Sequence, residues 1–463
     1  MASFAQSAIF PVPVAELAAW HFRPGALERL VPPWSGVRVA ETVHEMRDGA
    51  TASLRVPIGP FGLVRVRWDA VHEDVRAGAQ FVDRMTRGPF HSWRHLHRFT
   101  SADDRPQPAS RLEDALTYEL PFPPVGRLGN GLVASMLHQT FDWRHRRTGN
   151  DLRRHYELAG LPLTIAVTGA SGLVGSALCA FLSTGGHCVR RIVRGAASAD
   201  RGDIRWDPSA GTIDAAALEG VDAVVHLAGE SIAARWNPER KERIRASRVR
   251  GTHLLATAMA RCARKPNVFV SASAVGFYGD RKTEKLVESS ARGSGFLADV
   301  CEAWESAAQP ARDAGIRTVH PRIGMVLAGN GGALRALVTP FSFGLGGPVG
   351  SGRQGMPWIA IDDLIASVLF TLRTPTIEGP YNAVAPGLCD NRTFSRALGR
   401  ALRRPAIVPL PAFAVRAALG EMGQELLLGG AMVTPRVLSD HGFRFDFPDL
   451  DGAFRFELGR LQG

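Results

Sequence analysis

Lysine is almost missing from this chain of 463 residues. Only four of its 55 basic residues are lysine (Lys241, Lys265, Lys282 and Lys285), and tyrosine also occurs only four times. Chemistry that needs either residue therefore has few candidates. The five cysteines (Cys179, Cys188, Cys262, Cys301, Cys389) are odd in number, widely spaced and without a C-x-x-C pair. That excludes a disulfide framework and a cysteine zinc site, and suits a reducing cytoplasm. No run of 18 apolar residues occurs, so no membrane-spanning helix is expected. The start, MASFAQSAIF, has no basic stretch leading into an apolar one, so a cytoplasmic location without a secretory signal is expected.

The net charge is +11, but it forms no stripe. The densest basic run is Arg144-His145-Arg146-Arg147, and other arginines alternate with Asp and Glu. A nucleic-acid surface would concentrate positive charge among aromatics, so no nucleic-acid partner is expected. With 45% hydrophobic and 21% charged residues the chain is ordinarily globular, and its length asks for two domains.

The first 155 residues hold nine of the fourteen histidines and five of the nine tryptophans. Alternating stretches such as Ala52–Val56, Leu63–Trp68 and Gln80–Asp83 read as half-buried antiparallel strands. A helix with Leu132, Val133, Met136, Leu137 and Phe141 on one face is predicted over Gly131–Arg147. The segments Trp20-His21-Phe22-Arg23-Pro24-Gly25-Ala26, Leu30-Val31-Pro32-Pro33-Trp34 and Gly88-Pro89-Phe90-x-x-Trp93-x-His95-x-His97 resemble START-like (SRPBCC) domains fused to epimerase-family reductases. The resemblance implies a helix-grip α+β fold with an apolar ligand cavity. Period 2 puts His91, Trp93, His95 and His97 on one face of a strand. No carboxylate is near them in sequence, and same-face neighbours converge poorly on one ion. No metal is expected, and these imidazoles read as cavity lining or surface.

A different texture begins after Pro162. The buried-strand run Leu163–Thr168 leads into Gly169-Ala170-Ser171-Gly172-Leu173-Val174-Gly175 and a helix over Ser176–Ser183. In a G-x-x-G-x-x-G loop so placed, the first glycine makes the tight turn and the second lets backbone approach a pyrophosphate. The third lets the helix pack closely, and the helix N-terminus favours the negative charge. These seven residues are the expected dinucleotide-binding loop. The second strand, Cys188–Val193, ends in Val193-Arg194-Gly195, without the acid that accepts from a ribose 2′-hydroxyl. Arg194 can instead pair with a 2′-phosphate, which favours NADP(H) over NAD(H). Further alternation (strand Ala223–Gly229, helix Glu239–Arg264, strand Val268–Ser271, helix Ala298–Ala314, strand Arg317–Val326) makes a doubly wound parallel sheet.

The glycine loop, His226-Leu227-Ala228-Gly229-Glu230, Ser271–Asp280, Ser247-Arg248-Val249-x-Gly251-Thr252, Gly350–Gly355 and Trp358–Leu364 together resemble the epimerase-family, atypical extended short-chain dehydrogenase/reductases. The resemblance covers about residues 163–460. It adds Leu227, Ala228 and Gly229 to the cofactor site and Ser273 as the catalytic serine. The remaining catalytic pattern of the family is altered. Arg248 stands for its asparagine, and the helical Y-x-x-x-K should fall near Phe296–Val300, which has neither residue. The one literal Y-x-x-x-K is Tyr278–Lys282, in a stretch read as loop, and Tyr278 is the fallback acid. Glu230, Arg235, Trp236, Arg322 and Trp358 are candidates for the cleft of an unidentified small-molecule substrate.

The expected architecture is an α/β doubly wound (Rossmann) sheet over 159–463, with a C-terminal module at about 385–463. The START-like domain is expected over 1–158. The expected function is that of an NADP(H)-binding oxidoreductase or nucleotide-sugar-epimerase-like protein with a non-standard active site. The alternative is a non-catalytic protein that binds or senses NADP(H) and a lipid or isoprenoid.

Overall fold

The computed structural model describes residues 1–41, 45–59, 62, 64–102, 108–122, 129–198 and 202–461. The chain forms two compact units. The first comprises Met1–Leu161, Ala180–Gly186 and the end of the chain from Phe456; the second comprises Pro162–Cys179 and His187–Arg455. No helix among the described residues is long and apolar enough to cross a membrane.

The first unit begins with β1 (Ala2–Phe10), the helices α1 (Val14–Phe22) and α2 (Ala26–Leu30), and β2 (Arg38–Glu41). It continues with β3 (Thr51–Ile58), β4 (Val64–Arg76), β5 (Gln80–Arg87), β6 (Ser92–Ser101), β7 (Ser110–Glu119) and the 28-residue α3 (Asn130–Glu157). Leu63 of the predicted Leu63–Trp68 strand lies outside the described residues. All seven strands pair antiparallel, in the order β1-β7-β6-β5-β4-β3-β2. Strand β6 shows why: His95, His97 and Phe99 are buried while the alternating Arg94 and Arg98 are exposed. Helix α3 runs ten residues beyond its predicted end because burial continues at helical spacing through His145, Thr148 and Leu152. That face outweighs the low helix propensity of Gly149. Residues from Phe456 onward also belong to this unit: the Phe456 ring stacks on Trp143 of α3 with centroids 5.5 Å apart, and Gly459 lies against the Trp34 ring.

The second unit opens with β8 (Thr164–Thr168), α4 (Leu173–Thr184), β9 (Cys188–Val193), β10 (Ile204–Asp207), β11 (Thr212–Ile213) and β12 (Ala223–His226). Next come α5 (Pro238–Arg261), β13 (Val268–Ser271), β14 (Ser273–Ala274), β15 (Lys285–Leu286), α6 (Phe296–Ser306), α7 (Gln309–Asp313) and β16 (Arg317–Ile323). Strands β17 (Met325–Leu327), β18 (Trp358–Ala360) and β19 (Gly379–Ala383) follow. The central sheet runs β11-β10-β9-β8-β12-β13-β16, with β14 and β19 also on β16; every pairing is parallel except β10 with β11. Strands β12 and β13 are buried at every residue, as runs covered on both faces must be.

Two predicted elements are split. The helix expected over Ala298–Ala314 breaks between α6 and α7, where Pro310 cannot donate to a helix interior. The strand expected over Arg317–Val326 breaks at Gly324, where a Cβ would stand 2.8 Å from the Pro357 carbonyl oxygen. Beyond it β17 leaves the main sheet and pairs with β18.

Candidate functional site

The strand order reverses between β8 and β12: β9 and β10 lie on one side of β8, and β12 and β13 on the other. A crevice opens beyond the carboxyl ends of strands at such a point, and ligands of open α/β sheets bind there. The Gly169–Gly175 loop leaves β8 here, and Leu227-Ala228-Gly229 leaves β12. The two segments touch. Gly169 takes φ +66°, and a Cβ on it would stand 2.9 Å from the Leu227 carbonyl carbon and 3.0 Å from the Ala228 nitrogen. A Cβ on Gly175 would overlap the Gly169 carbonyl oxygen, and one on Gly172 would stand 3.2 Å from that oxygen. Each glycine thus has a geometric reason, and the space that their missing side chains leave fits a dinucleotide's phosphates approaching the start of α4. Ser171, Gly172 and Gly229 are exposed, while Ala170, Leu173, Val174, Leu227 and Ala228 are half-buried.

Thr168, which sequence reasoning missed, locks this arrangement. Its hydroxyl accepts from the Leu227 and Ala228 amides at 3.0 and 3.2 Å and bonds His226 Nδ1 at 2.7 Å. Burial, together with Arg248, pushes His226 down to about 3, so the ring is neutral. Arg194 is exposed immediately beyond β9. Asp203, an acid in the next segment, is taken by Arg191, whose guanidinium donates to both its oxygens at 3.0 and 2.7 Å.

Ser273 and Tyr278 meet in one buried network. The Ser273 hydroxyl donates to Glu305 Oε1 at 2.6 Å, and Arg322 donates to both Glu305 oxygens at 2.9 Å. Arg322 Nη1 also donates to the Tyr278 hydroxyl at 3.1 Å, and that hydroxyl donates to Asn382 Oδ1 at 2.7 Å. Burial pushes the Tyr278 phenol up against the pull of Arg322. Burial opposes charge on Glu305, but Arg322 and Ser273 hold its pKa below the usual value. Tyr278 is fully buried at the end of a short 3-10 turn (Val275–Tyr278), whereas Lys282 is exposed with φ +53°. The Tyr278–Lys282 pair therefore shares no direction.

Helix α6, where the standard dyad is expected, carries neither tyrosine nor lysine. Its Leu297 and Cys301 lie under Gly276 instead. Burial pushes the Cys301 thiol up to about 11, so it is no thiolate nucleophile. Arg248, in the place of the family's asparagine, donates to the Glu230 and Ile244 carbonyls at 3.1 and 3.0 Å and covers the Trp304 ring. Its guanidinium lies 3.3 Å from where a Gly229 Cβ would stand.

Three of the five proposed cleft residues belong to the core instead. Trp236 packs with Ile244, Val300 and Met422, Arg322 is the ion-pair partner above, and Trp358 is buried with its indole N–H on the Gly387 carbonyl. Apolar or ion-pair burial accounts for each. Glu230 is half-buried beside Ser247, and Arg235 is exposed.

In the first unit, the reading of His95 and His97 as surface residues is corrected. Both are buried in a network with two carboxylates that sequence spacing hides. Asp83 lies opposite His95 on β5, and Asp114 opposite His97 on β7. Asp114 Oδ1 is 2.9 Å from His95 Nε2 and 3.0 Å from His97 Nδ1; its Oδ2 is 2.7 Å from His145 Nε2. Asp83 is 3.3 Å from His97 Nε2 and 2.6 Å from His72 Nδ1. Burial opposes charge throughout, yet Asp114 and Asp83 push His97 up to about 9. Burial and the neighbouring His97 push His95 down to about 4. Only His91 of the predicted face is exposed.

Comparison with known proteins bears mainly on the second unit. Residues 165–384 match the NAD dependent epimerase/dehydratase family, and residues 410–457 match a domain of unknown function, DUF1731. An epimerase family protein of Mycobacterium leprae is 40% identical over 297 residues, 64% of this chain and 96% of that protein. The crystal structure of a nucleoside-diphosphate sugar epimerase from Corynebacterium glutamicum is 34% identical, with a TM-score of 0.81 over 99% of this chain and 90% of that one. The human epimerase family protein SDR39U1 (isoform 2), solved with NADPH, is 34% identical, with a TM-score of 0.59 over 65% of this chain and 100% of its own. Near-complete coverage of these relatives, on a sheet whose switch point carries the glycine loop, establishes that this chain belongs to the NAD(P)-binding epimerase family, in its atypical extended short-chain dehydrogenase/reductase branch.

Proposed function

We propose that the second unit binds NADP(H) in preference to NAD(H) and serves an oxidoreductase or epimerase-like reaction through a non-standard active site. The observation that carries this reading is the glycine loop seated at the switch point beside a second strand that ends in Arg194 rather than an acid. The NADPH in the human relative's structure supports it. The cofactor would supply or accept hydride when bound. The chain would cradle its diphosphate on the Gly169–Gly175 amides, hold the Leu227–Gly229 side through Thr168 and pair its 2′-phosphate with Arg194. Ser273 is proposed to act on substrate. Tyr278, committed inward to Asn382 and Arg322, is assigned to positioning Ser273 and Glu305 rather than to proton transfer.

Binding titrations with both dinucleotides test the preference. NADPH is expected to bind about ten- to a hundred-fold more tightly than NADH, and Arg194→Ala to remove the difference. Equal affinities in the wild type would overturn it. Turnover is tested by NADPH oxidation with carbonyl and sugar-nucleotide substrates, where Ser273→Ala should slow the rate. A second reading, a non-catalytic NADP(H)-binding or sensing protein, is favoured by the absence of both Tyr and Lys from α6.

For the first unit we infer a START-like helix grip that takes an apolar ligand. Support comes from its seven antiparallel strands with one long closing helix, and from the half-buried Trp68, Phe90 and Trp93 rings, whose centroids lie 4.9–5.5 Å apart. Mass spectrometry of molecules that co-purify with the chain tests this, and absence of any lipid or isoprenoid counts against it.

A further inference from the structure

The Asp83–His95–His97 cluster lies outside everything assigned to the dinucleotide unit. Each of these residues offers one ligand atom, and the three atoms lie within 4.8 Å of one another. The convergence follows from strand register. Asp83 of β5 is directly opposite His95 of β6, and His97 is the next residue on the same face. We propose that Asp83, His95 and His97 bind one first-row divalent cation of the zinc class.

Two imidazoles and one carboxylate are a donor set that such ions favour over magnesium or calcium, which prefer all-oxygen ligands. The surroundings are those of a built site. Asp114 reaches both imidazoles at 2.9–3.0 Å and also holds His145, as carboxylates behind metal-bound histidines do. The Phe81 ring stacks on His97 with centroids 4.3 Å apart, and Phe141 meets His95 edge-on at 5.4 Å. These rings fix the imidazoles and keep the dielectric low. A way in exists, because 27% of the Asp83 side chain remains exposed while His95 and His97 are buried. Water can complete the coordination from that side.

A second observation points the same way. His72, only 6% exposed, makes no aligned hydrogen bond through either ring nitrogen, although its Nδ1 lies 2.6 Å from Asp83 Oδ1. That Asp83 oxygen is also without an aligned donor. A cation held by Asp83 and His97 would take over the positive charge that a proton on the His97 ring otherwise supplies between Asp83 and Asp114. Binding would send the displaced ring protons to solvent, so no other reactant is needed.

The experiment uses the full-length chain, without an affinity tag, stripped of metal by a chelator and titrated with Co2+. One equivalent per chain is expected to bind, with visible ligand-field bands from a nitrogen-containing site of low coordination number, and Zn2+ should displace it. Asp83→Asn and His97→Gln should abolish the bands, and Asp114→Asn should weaken binding by roughly ten- to a hundred-fold. Wild-type protein that takes up no stoichiometric cobalt overturns the proposal. So does a wild-type spectrum that both ligand variants reproduce. Should the variants fail to fold, the wild-type spectrum and stoichiometry decide the matter alone.

Discussion

At Tyr278, a residue with a plausible catalytic position has its functional group turned into the core. The hydroxyl accepts from Arg322 and donates to Asn382, so Tyr278→Phe leaves both partners buried and short of a bond. The expected loss is about 1–3 kcal/mol, read from urea unfolding, while NADPH affinity stays at the wild-type value. An unchanged stability with a collapsed NADPH oxidation rate would instead make Tyr278 a proton-transfer group. Arg322→Met should be costlier. It strands the Glu305 carboxylate, and the two side chains are only 4% and 14% exposed. Breaking such a pair costs roughly 3–5 kcal/mol, and adding Glu305→Gln to Arg322→Met should recover part of it in the same unfolding assay. Neither network partner was legible beforehand, because Glu305 and Asn382 lie 32 and 104 residues from the groups they hold.

Elements divide into those that sequence spacing reveals and those that only register reveals. The glycine loop belongs to the first kind, since all its constraints act within seven residues. Gly175→Ala tests it directly: the new methyl collides with the Gly169 carbonyl at the turn itself. Overpacking of ~1–3 kcal/mol concentrated there should weaken NADPH binding by roughly ten- to a hundred-fold in a fluorescence titration, with the fold retained in circular dichroism. The acidic partners of β6 belong to the second kind. His95 and His97 sit within one pentapeptide, but Asp83 and Asp114 reach them through pairings that no local pattern specifies. Thr168 is similar, meeting His226 across 58 residues. The helix expected as one piece over Ala298–Ala314 shows the converse, for Pro310 signalled a break in the sequence that the apolar periodicity obscured.

The second unit as a whole should be sensitive to acid. His226 and His320 are buried and held down to about 3 and about 4, chiefly by burial, so the folded protein keeps them neutral well below the ordinary imidazole value. Their stabilising contribution is complete above about pH 6.5 and is lost as pH falls toward those folded values, because only the unfolded chain then takes up the protons. Each imidazole contributes a slope of about 1.4 kcal/mol per pH unit within that window. Glu305, held low, acts in the same direction. Urea midpoints of this unit should therefore be lower at pH 5 than at pH 7.5, and equal midpoints would refute the assignment of neutral buried rings.

The first unit joins segments far apart in sequence, with Phe456 on Trp143 and Gly459 against Trp34. During synthesis, residues 1–161 are consequently made well before the residues around Phe456 that join their unit. Its sheet can form early, but the Trp143 and Trp34 surfaces stay uncovered until some three hundred further residues have been made. A fragment ending at Leu161 should for the same reason expose those rings, and removing the segment from Phe456 onward should destabilise the first unit more than the second.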